Sequence, residues 1–186
     1  MALKSTIFKA KLSIADIDHS YYADHDLTLA RHPSETNERM MVRLVAFAIN
    51  AHELNDRCGG DGTLAFGAGL SDPDEPDLWL QDFNGTVRMW VEIGQPEDKP
   101  LIKACAKSEL VRVYCFHHAA DVWWQRIESK LARLDKLQVF RIESNFSQQL
   151  AAMADKSMQL QATLQDDTIT LSNDSASIPI SLDRWR

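Results

Sequence analysis

Cysteine is scarce in this chain. Three occur in 186 residues, and Cys58, Cys105 and Cys115 have no zinc-like spacing. Read most simply, they are the reduced thiols of a cytoplasmic protein. No apolar run approaches the ~20 residues that a membrane helix needs, so no membrane partner is expected. The opening Met1-Ala2-Leu3-Lys4 lacks the apolar core of a signal peptide, and Ala2 in place of glycine excludes a myristoylation signal. Gly59-Gly60-Asp61-Gly62 has neither the spacing nor the lysine of a phosphate-binding P-loop, and no nucleophile-elbow pattern occurs. Positive charge is also in deficit: 20 Lys and Arg face 27 Asp and Glu, for a net charge of −7. That balance argues against a DNA-binding module working by phosphate neutralisation alone. It is compatible with a metal-dependent nuclease, whose site must itself be acidic, and equally with plain solubility.

What is present is the pattern of an ordinary globular α/β chain, with hydrophobic residues at 45% and charged residues at 25%. Thr6 to Ile17 alternates as a strand, as does His25 to Arg31, and the two read as a long N-terminal hairpin joined through Asp18 to Asp24. Ser34, after Pro33, is placed to cap a helix running to about Asn55. Cys58 to Asp74, rich in Gly and Asp, reads as a long loop. A helix follows Pro96. Val111 to Phe116 is nearly continuous in apolar residues, as a buried central strand requires. Trp123, Ile127, Leu131 and Leu134 then mark an amphipathic helix. Leu137 to Ile142 is a further strand and Phe146 to Met153 a short helix. Met158 to Leu164 and Thr168 to Leu171 form a C-terminal hairpin about Asp166-Asp167, with a third strand through Ile178, Ile180 and Leu182. Strands alternating with helices predict a mixed α/β core.

Pro76 to Gly94 is the most informative stretch. Asn84-Gly85 is a strong hairpin signal, because a two-residue type I′ turn needs positive φ at both positions. Closing Phe83 on Thr86 pairs Gln81 with Arg88, Trp79 with Trp90 and Asp77 with Glu92. The other face pairs Leu80 with Met89 and Leu78 with Val91. Like charges opposed at ~5 Å between Cβ atoms destabilise a sheet. A divalent cation or a lysine would compensate, or the two carboxylates splay apart in water at the strand end.

Pro76-Asp77 on one strand, Glu92 on the next and a helix after them resemble the PD-(D/E)xK phosphodiesterase superfamily. More closely, the sequence is similar to the YaeQ family of small bacterial proteins. The carrying stretches are Leu27-Thr28-Leu29-Ala30-Arg31-His32-Pro33-Ser34-Glu35-Thr36, Glu38-Arg39-Met40-Met41, Trp90-Val91-Glu92-Ile93-Gly94 and Lys103-Ala104-Cys105, with Trp123-Trp124 and Met158 to Gln165. The resemblance implies a single domain, with a nuclease-like, restriction-endonuclease-like α/β core over residues 34–157. An N-terminal β-hairpin (1–33) and C-terminal strands (158–186) are added to it. It also implies that Asp77 and Glu92 ligate Mg²⁺ with the Ile93 carbonyl, and that a bound water attacks a phosphodiester of nucleic acid. Gly94 departs from the pattern, since a lysine belongs there. Lys99, Lys103 and Lys107 lie along one helical face, and Lys103 is the expected substitute. Glu38 is a fourth catalytic candidate, or else a first-turn acid favoured by the helix dipole. Without turnover, the same fold would serve as a nucleic-acid- or protein-binding factor.

Arg31, Arg39 and Arg43 form a basic cluster about the first helix. They suit phosphate contacts, or salt bridging through Glu35, one turn before Arg39. His117-His118 at a strand end reads as solvent-exposed or metal-binding. Trp123 and Trp124 cannot both face one core.

Overall fold

The computed structural model describes residues 4–186, so the reading of Ala2 lies outside the described residues. In chain order the elements are β1 (Thr6–Asp16), β2 (Tyr21–Arg31), α1 (Asn37–Asn50), α2 (Glu53–Cys58), β3 (Gly62–Phe66), β4 (Leu78–Asp82) and β5 (Val87–Ile93). There follow α3 (Asp98–Lys107), β6 (Val111–Cys115), α4 (Ala120–Leu131), β7 (Leu137–Ile142), α5 (Ser144–Ala152), β8 (Ser157–Gln165), β9 (Thr168–Ser172) and β10 (Ser177–Arg184). The class is mixed α/β, as the alternating pattern predicts. None of the described helices is long and apolar enough to cross a membrane. The chain divides into two compact units, one of residues 4–52 and 145–182, the other of 53–144 and 183–186. The expected segments 1–33, 34–157 and 158–186 cut the chain differently.

In the first unit the N-terminal hairpin is long and regular, pairing Thr6 with Arg31 through to Asp16 with Tyr21. Its turn spans only residues 17–20, because β2 begins four residues before the expected His25. Phe8, Ala10, Leu12 and Ile14 alternate inward along β1, and Met158, Leu160, Ala162 and Leu164 do so along β8. These two strands pair in parallel, Lys9 beside Ser157 to Asp16 beside Leu164, although nearly the whole sequence separates them. The strand order is β2-β1-β8-β9-β10, and α1 packs against β8. Asp166 and Asp167 both have left-handed backbone, with φ 51° and 58°. That is the primed turn a tight hairpin needs, and Asp tolerates it better than most residues. Asp18 accepts both of their backbone N–H groups, at 3.0 and 3.3 Å.

Helix α1 starts later than expected. Thr36, not Ser34, is the cap, accepting the Arg39 N–H at 3.1 Å, while Ser34 donates its own N–H to His32 Nδ1. The helix also stops at Asn50, and the residues expected to extend it form the separate α2.

The second unit has strand order β7-β6-β5-β4-β3. Parallel pairs join β5 to β6 and β6 to β7, with α3 and α4 as the crossovers. Trp90, Val111, Val113, Val139, Leu101, Trp123, Ile127 and Leu131 form its core. Trp123 is buried and Trp124 only half-buried, as one amphipathic helix dictates. Strand β3 lies inside the segment expected to be loop. Its short Gly-Thr-Leu-Ala-Phe sequence carries little strand signal, and it forms by pairing with β4.

The β4–β5 hairpin corrects the expected turn and the expected Gln81–Arg88 pair, while keeping the expected partners from Leu80 to Leu78. Asp82 pairs across to Thr86 through its N–H, and the Gly85 N–H closes on the Asp82 carbonyl at 2.9 Å. The loop is therefore three residues, Phe83 to Gly85, with only Gly85 left-handed at φ 84°. Gln81 then pairs with Val87, and a bulge before Leu80 restores the partners. Trp79 faces Trp90, Leu80 faces Met89 and Leu78 faces Val91, as expected. The extra loop residue on the β4 side, Phe83, and the extra Arg88 on β5 cancel.

Asp82 organises this turn, accepting the Asn84 and Thr86 N–H groups on one oxygen and Arg88 on the other. The Thr86 N–H foremost, with Arg88 and Asn84, holds its carboxyl below the usual carboxylate range. The hairpin's contribution to stability is thus present above about pH 3.9 and is lost as pH falls through the lower folded value. An NMR titration should show the Thr86 amide shift inflecting below that pH, and not at all in Asp82→Asn. An inflection at the ordinary value would refute the account.

The three thiols are free, Cys105 and Cys115 buried and Cys58 half-buried. Burial pushes Cys115 up to about 12, and its Sγ–H donates to the Phe140 carbonyl at 3.3 Å. Raised in the folded state, this thiol favours folding below the unfolded value of about 8.5, and the advantage is lost as pH climbs above it. Mass-resolved alkylation at neutral pH should label Cys58 first and leave Cys115 intact until the chain unfolds.

Candidate functional site

The candidate catalytic residues of the second unit lie where β4, β5 and α3 meet the chain around Pro76. The paired register of β4 and β5 ends at Leu78–Val91, one residue short of the expected Asp77–Glu92 pair, and the Asp77 N–H donates instead to the Val91 carbonyl at 3.1 Å. Within β5, Glu92 lies on the same face as Trp90, and the Trp90 and Trp79 rings meet edge to face at 6.3 Å.

The two acids live in different surroundings. Asp77 is 0% exposed, and its Oδ2 accepts the Ile93 N–H at 2.8 Å. Glu92 is half-buried, and its Oε1 accepts the Trp90 indole N–H at 2.7 Å. One carboxylate is anchored in the fold, and the other reaches toward solvent.

Sequence reasoning missed what closes over Asp77. The Gly67 N–H donates to the Asp77 carbonyl and the Gly69 N–H to the Pro76 carbonyl, at 3.2 and 3.3 Å. A Cβ on Gly67 would stand 2.2 Å from the Pro76 oxygen, and one on Gly69 would stand 2.6 Å from Asp77 Oδ1. Gly69 also has left-handed backbone, φ 51°. These glycines are required because the chain passes directly over a buried carboxylate. The only sequence signal was glycine in a segment otherwise read as loop.

Gly94 is left-handed as well, at φ 107°, with open space where a Cβ would point. A lysine there would strain the backbone. Lys103 projects from α3 as an exposed side chain and forms an ion pair with Asp74. The Lys103 ammonium holds the Asp74 carboxyl below its usual range. Lys99, Lys103 and Lys107 are all exposed, and Lys107 lies over the Trp90 ring at 5.9 Å.

The other candidates belong to the first unit. Glu38 is half-buried and accepts the Ser147 hydroxyl at 2.5 Å. Glu35 is buried and takes Arg39 at 2.8 Å and Arg43 at 3.0 Å. Arg43 also donates to the Ala30 carbonyl. Arg31 donates to Asn37 at 2.6 Å and lies over the Phe8 ring. The arginine cluster is thus gathered around an internal carboxylate, the salt-bridge arrangement that the spacing of Glu35 allows. His117 and His118 are both exposed, and the His117 ring rests against Phe116.

Comparison with known proteins agrees over almost the whole length. The family model described as YaeQ protein matches residues 1–182. The chain is 39% identical to a protein of Escherichia coli (strain K12) named "Uncharacterized protein YaeQ", covering 100% of this chain and 98% of that one. It is 41% identical to the protein of the same name from Salmonella typhi, with the same coverage. The crystal structure of YaeQ from Xanthomonas axonopodis pv. citri superposes with a TM-score of 0.88 at 37% identity, covering 98% of each chain. That of Pseudomonas syringae gives 0.89 at 29% identity, over 98% of this chain and 96% of the other. By sequence along its full length and by fold, the chain belongs to the YaeQ family.

Proposed function

We propose that this protein is a cytoplasmic, Mg²⁺-dependent phosphodiesterase of PD-(D/E)xK nuclease-like type, acting on nucleic acid. The observation that carries this reading is that Asp77, just before β4, accepts the Ile93 N–H at the end of β5, one residue from Glu92. Two carboxylates so placed would supply the oxygen ligands a hard cation prefers, and the Ile93 carbonyl would add a third. Bound there, Mg²⁺ would activate a water and offset charge on the phosphoryl group. The chain's own part is to hold the ligands. The Ile93 N–H fixes Asp77, the Trp90 indole fixes Glu92, and the Gly67–Gly69 passage excludes water from the Asp77 side. Lys103, released from Asp74, would stabilise charge in place of the side chain missing at Gly94. Phosphate contacts would fall to the exposed lysine face of α3.

A second reading is a nuclease-like fold without turnover, binding nucleic acid or a protein partner. The complete burial of Asp77 favours it, because Mg²⁺ keeps several waters and needs access.

The two readings separate on activity. Purified protein with Mg²⁺ should cut DNA or RNA, and Asp77→Ala and Glu92→Ala should each abolish cutting. Cleavage persisting in both variants removes this site from the chemistry. No cleavage together with retained nucleic-acid binding supports the second reading. Gly69→Ala, which adds a methyl against Asp77 Oδ1, should weaken Mg²⁺ binding at least about tenfold, as loss of an orienting contact does. Calorimetry on the folded variant reads this directly, and unchanged affinity would show that Asp77 is not a ligand.

A further inference from the structure

The first unit contains a second group of ligand-type side chains, unrelated to Asp77 and Glu92. Asp16 ends β1, His19 lies in the turn that follows, and His52 comes just after α1. Asp16 is 0% exposed and His52 is 7% exposed. One ligand atom from each of the three residues lies within 4.8 Å of the others. His19 Nδ1 is 2.9 Å from Asp16 Oδ2, and His52 Nδ1 is 3.4 Å from the same oxygen. The His19 backbone N–H donates to Asp16 Oδ1 at 3.0 Å, which fixes the carboxylate's direction.

We propose that Asp16, His19 and His52 form a binding site for a borderline divalent cation of the Zn²⁺ type. Two imidazole nitrogens and one carboxylate oxygen are donors that suit Zn²⁺ and not Mg²⁺. Metal–ligand bonds of 2.0–2.1 Å in a tetrahedron put neighbouring ligand atoms about 3.3 Å apart. The two measured separations bracket that edge. The imidazoles are stacked, with centroids 3.6 Å apart and planes at 7°. Stacked rings hold their in-plane nitrogen lone pairs in two separate parallel planes, so one ring must tilt for both to reach a single ion. His19 is the ring free to do so, since its side chain is 45% exposed on a four-residue turn. Asp16 and His52 supply the fixed part of the site. Imidazoles ligating through Nδ1 carry their remaining proton on Nε2, so a neutral ring changes tautomer without net proton release. Three protein ligands leave a fourth position to water, the composition of an open site. Bound there, the ion would tie the β1–β2 turn to the end of α1.

The test uses the full chain stripped with a chelator, titrated with Zn²⁺ by calorimetry and with Co²⁺ by visible absorption. One ion per chain should bind, melting should move to higher temperature, and acidification should release the metal, because only neutral imidazole ligates. His19→Ala, on an exposed turn, should fold normally and lose at least about tenfold in affinity, and Asp16→Asn should lose at least as much. Glu92→Gln and Cys58→Ser should leave Zn²⁺ affinity unchanged, which separates this site from the Mg²⁺ reading and from a thiol site. No saturable binding overturns the proposal. So does Zn²⁺ affinity that survives in His19→Ala, or that is lost in Glu92→Gln or Cys58→Ser.

Discussion

A carboxylate withdrawn from water must be met by donors, because an unpaired buried charge costs several kcal/mol. Among the described residues, four carboxylates are at or below 5% exposure: Asp16, Glu35, Glu53 and Asp77. Each is answered differently. Imidazoles stand beside Asp16, while Arg39 and Arg43 hold Glu35. Arg57 and Arg112 hold Glu53, each at 2.6 Å. Asp77 takes a backbone N–H. The three residue pairings join segments distant in sequence or fix a helix end, so they determine where α1, α2 and β6 can go. Asp77 constrains the backbone itself, requiring glycine at 67 and 69 and fixing the register of β5 against β4.

That difference governs what could be read from the sequence. Glu35 and Arg39 are one helical turn apart, and their pairing follows from spacing alone. Trp79–Trp90 was legible because a hairpin propagates its register from one turn. The inferred turn was nevertheless wrong. The Asp82 carboxylate captures the Asn84 and Thr86 amides and lengthens the loop, and the bulge at Arg88 absorbs the slip. A local rule reached the right partners because the sheet's buried face, Leu78, Leu80, Met89 and Val91, admits one register. The β3 strand was illegible for the opposite reason, since pairing with β4 supplies what its composition does not. Asp16 and His52 are 36 positions apart, a separation no periodicity encodes. Their meeting depends on where the first unit places α1.

The environment of Asp77 and Glu92 also changes what the missing lysine means. An exposed pair of carboxylates would repel, and a neighbouring ammonium would be the natural relief. Here Asp77 is buried on an amide and Glu92 is bound by an indole, so much of the repulsion is already relieved by neutral donors. A lysine at 94 would add charge stabilisation at the cost of a strained backbone. The open space beside Gly94 suits a longer side chain arriving from another element. In the proposed reading Lys103 would take that role from α3, where it pairs with Asp74. An exposed ion pair is worth little in water, so a phosphate would compete with Asp74 for Lys103 on nearly equal terms.

Ligand chemistry then divides the two units. Oxygen donors at Asp77 and Glu92 favour a hard cation that retains its waters. The nitrogen-rich set at Asp16, His19 and His52 favours a softer ion held by the protein. Selectivity between such sites follows donor type more than affinity, because borderline metals bind most sites more tightly than Mg²⁺ does. A chain carrying both would need the imidazole site to take the scarce, tight-binding ion, leaving the carboxylate pair to the abundant one. His19 is the adjustable member of that arrangement. Its ring stacks on His52 and would have to leave the stack to bind an ion, so occupancy would be visible as a change in the β1–β2 turn.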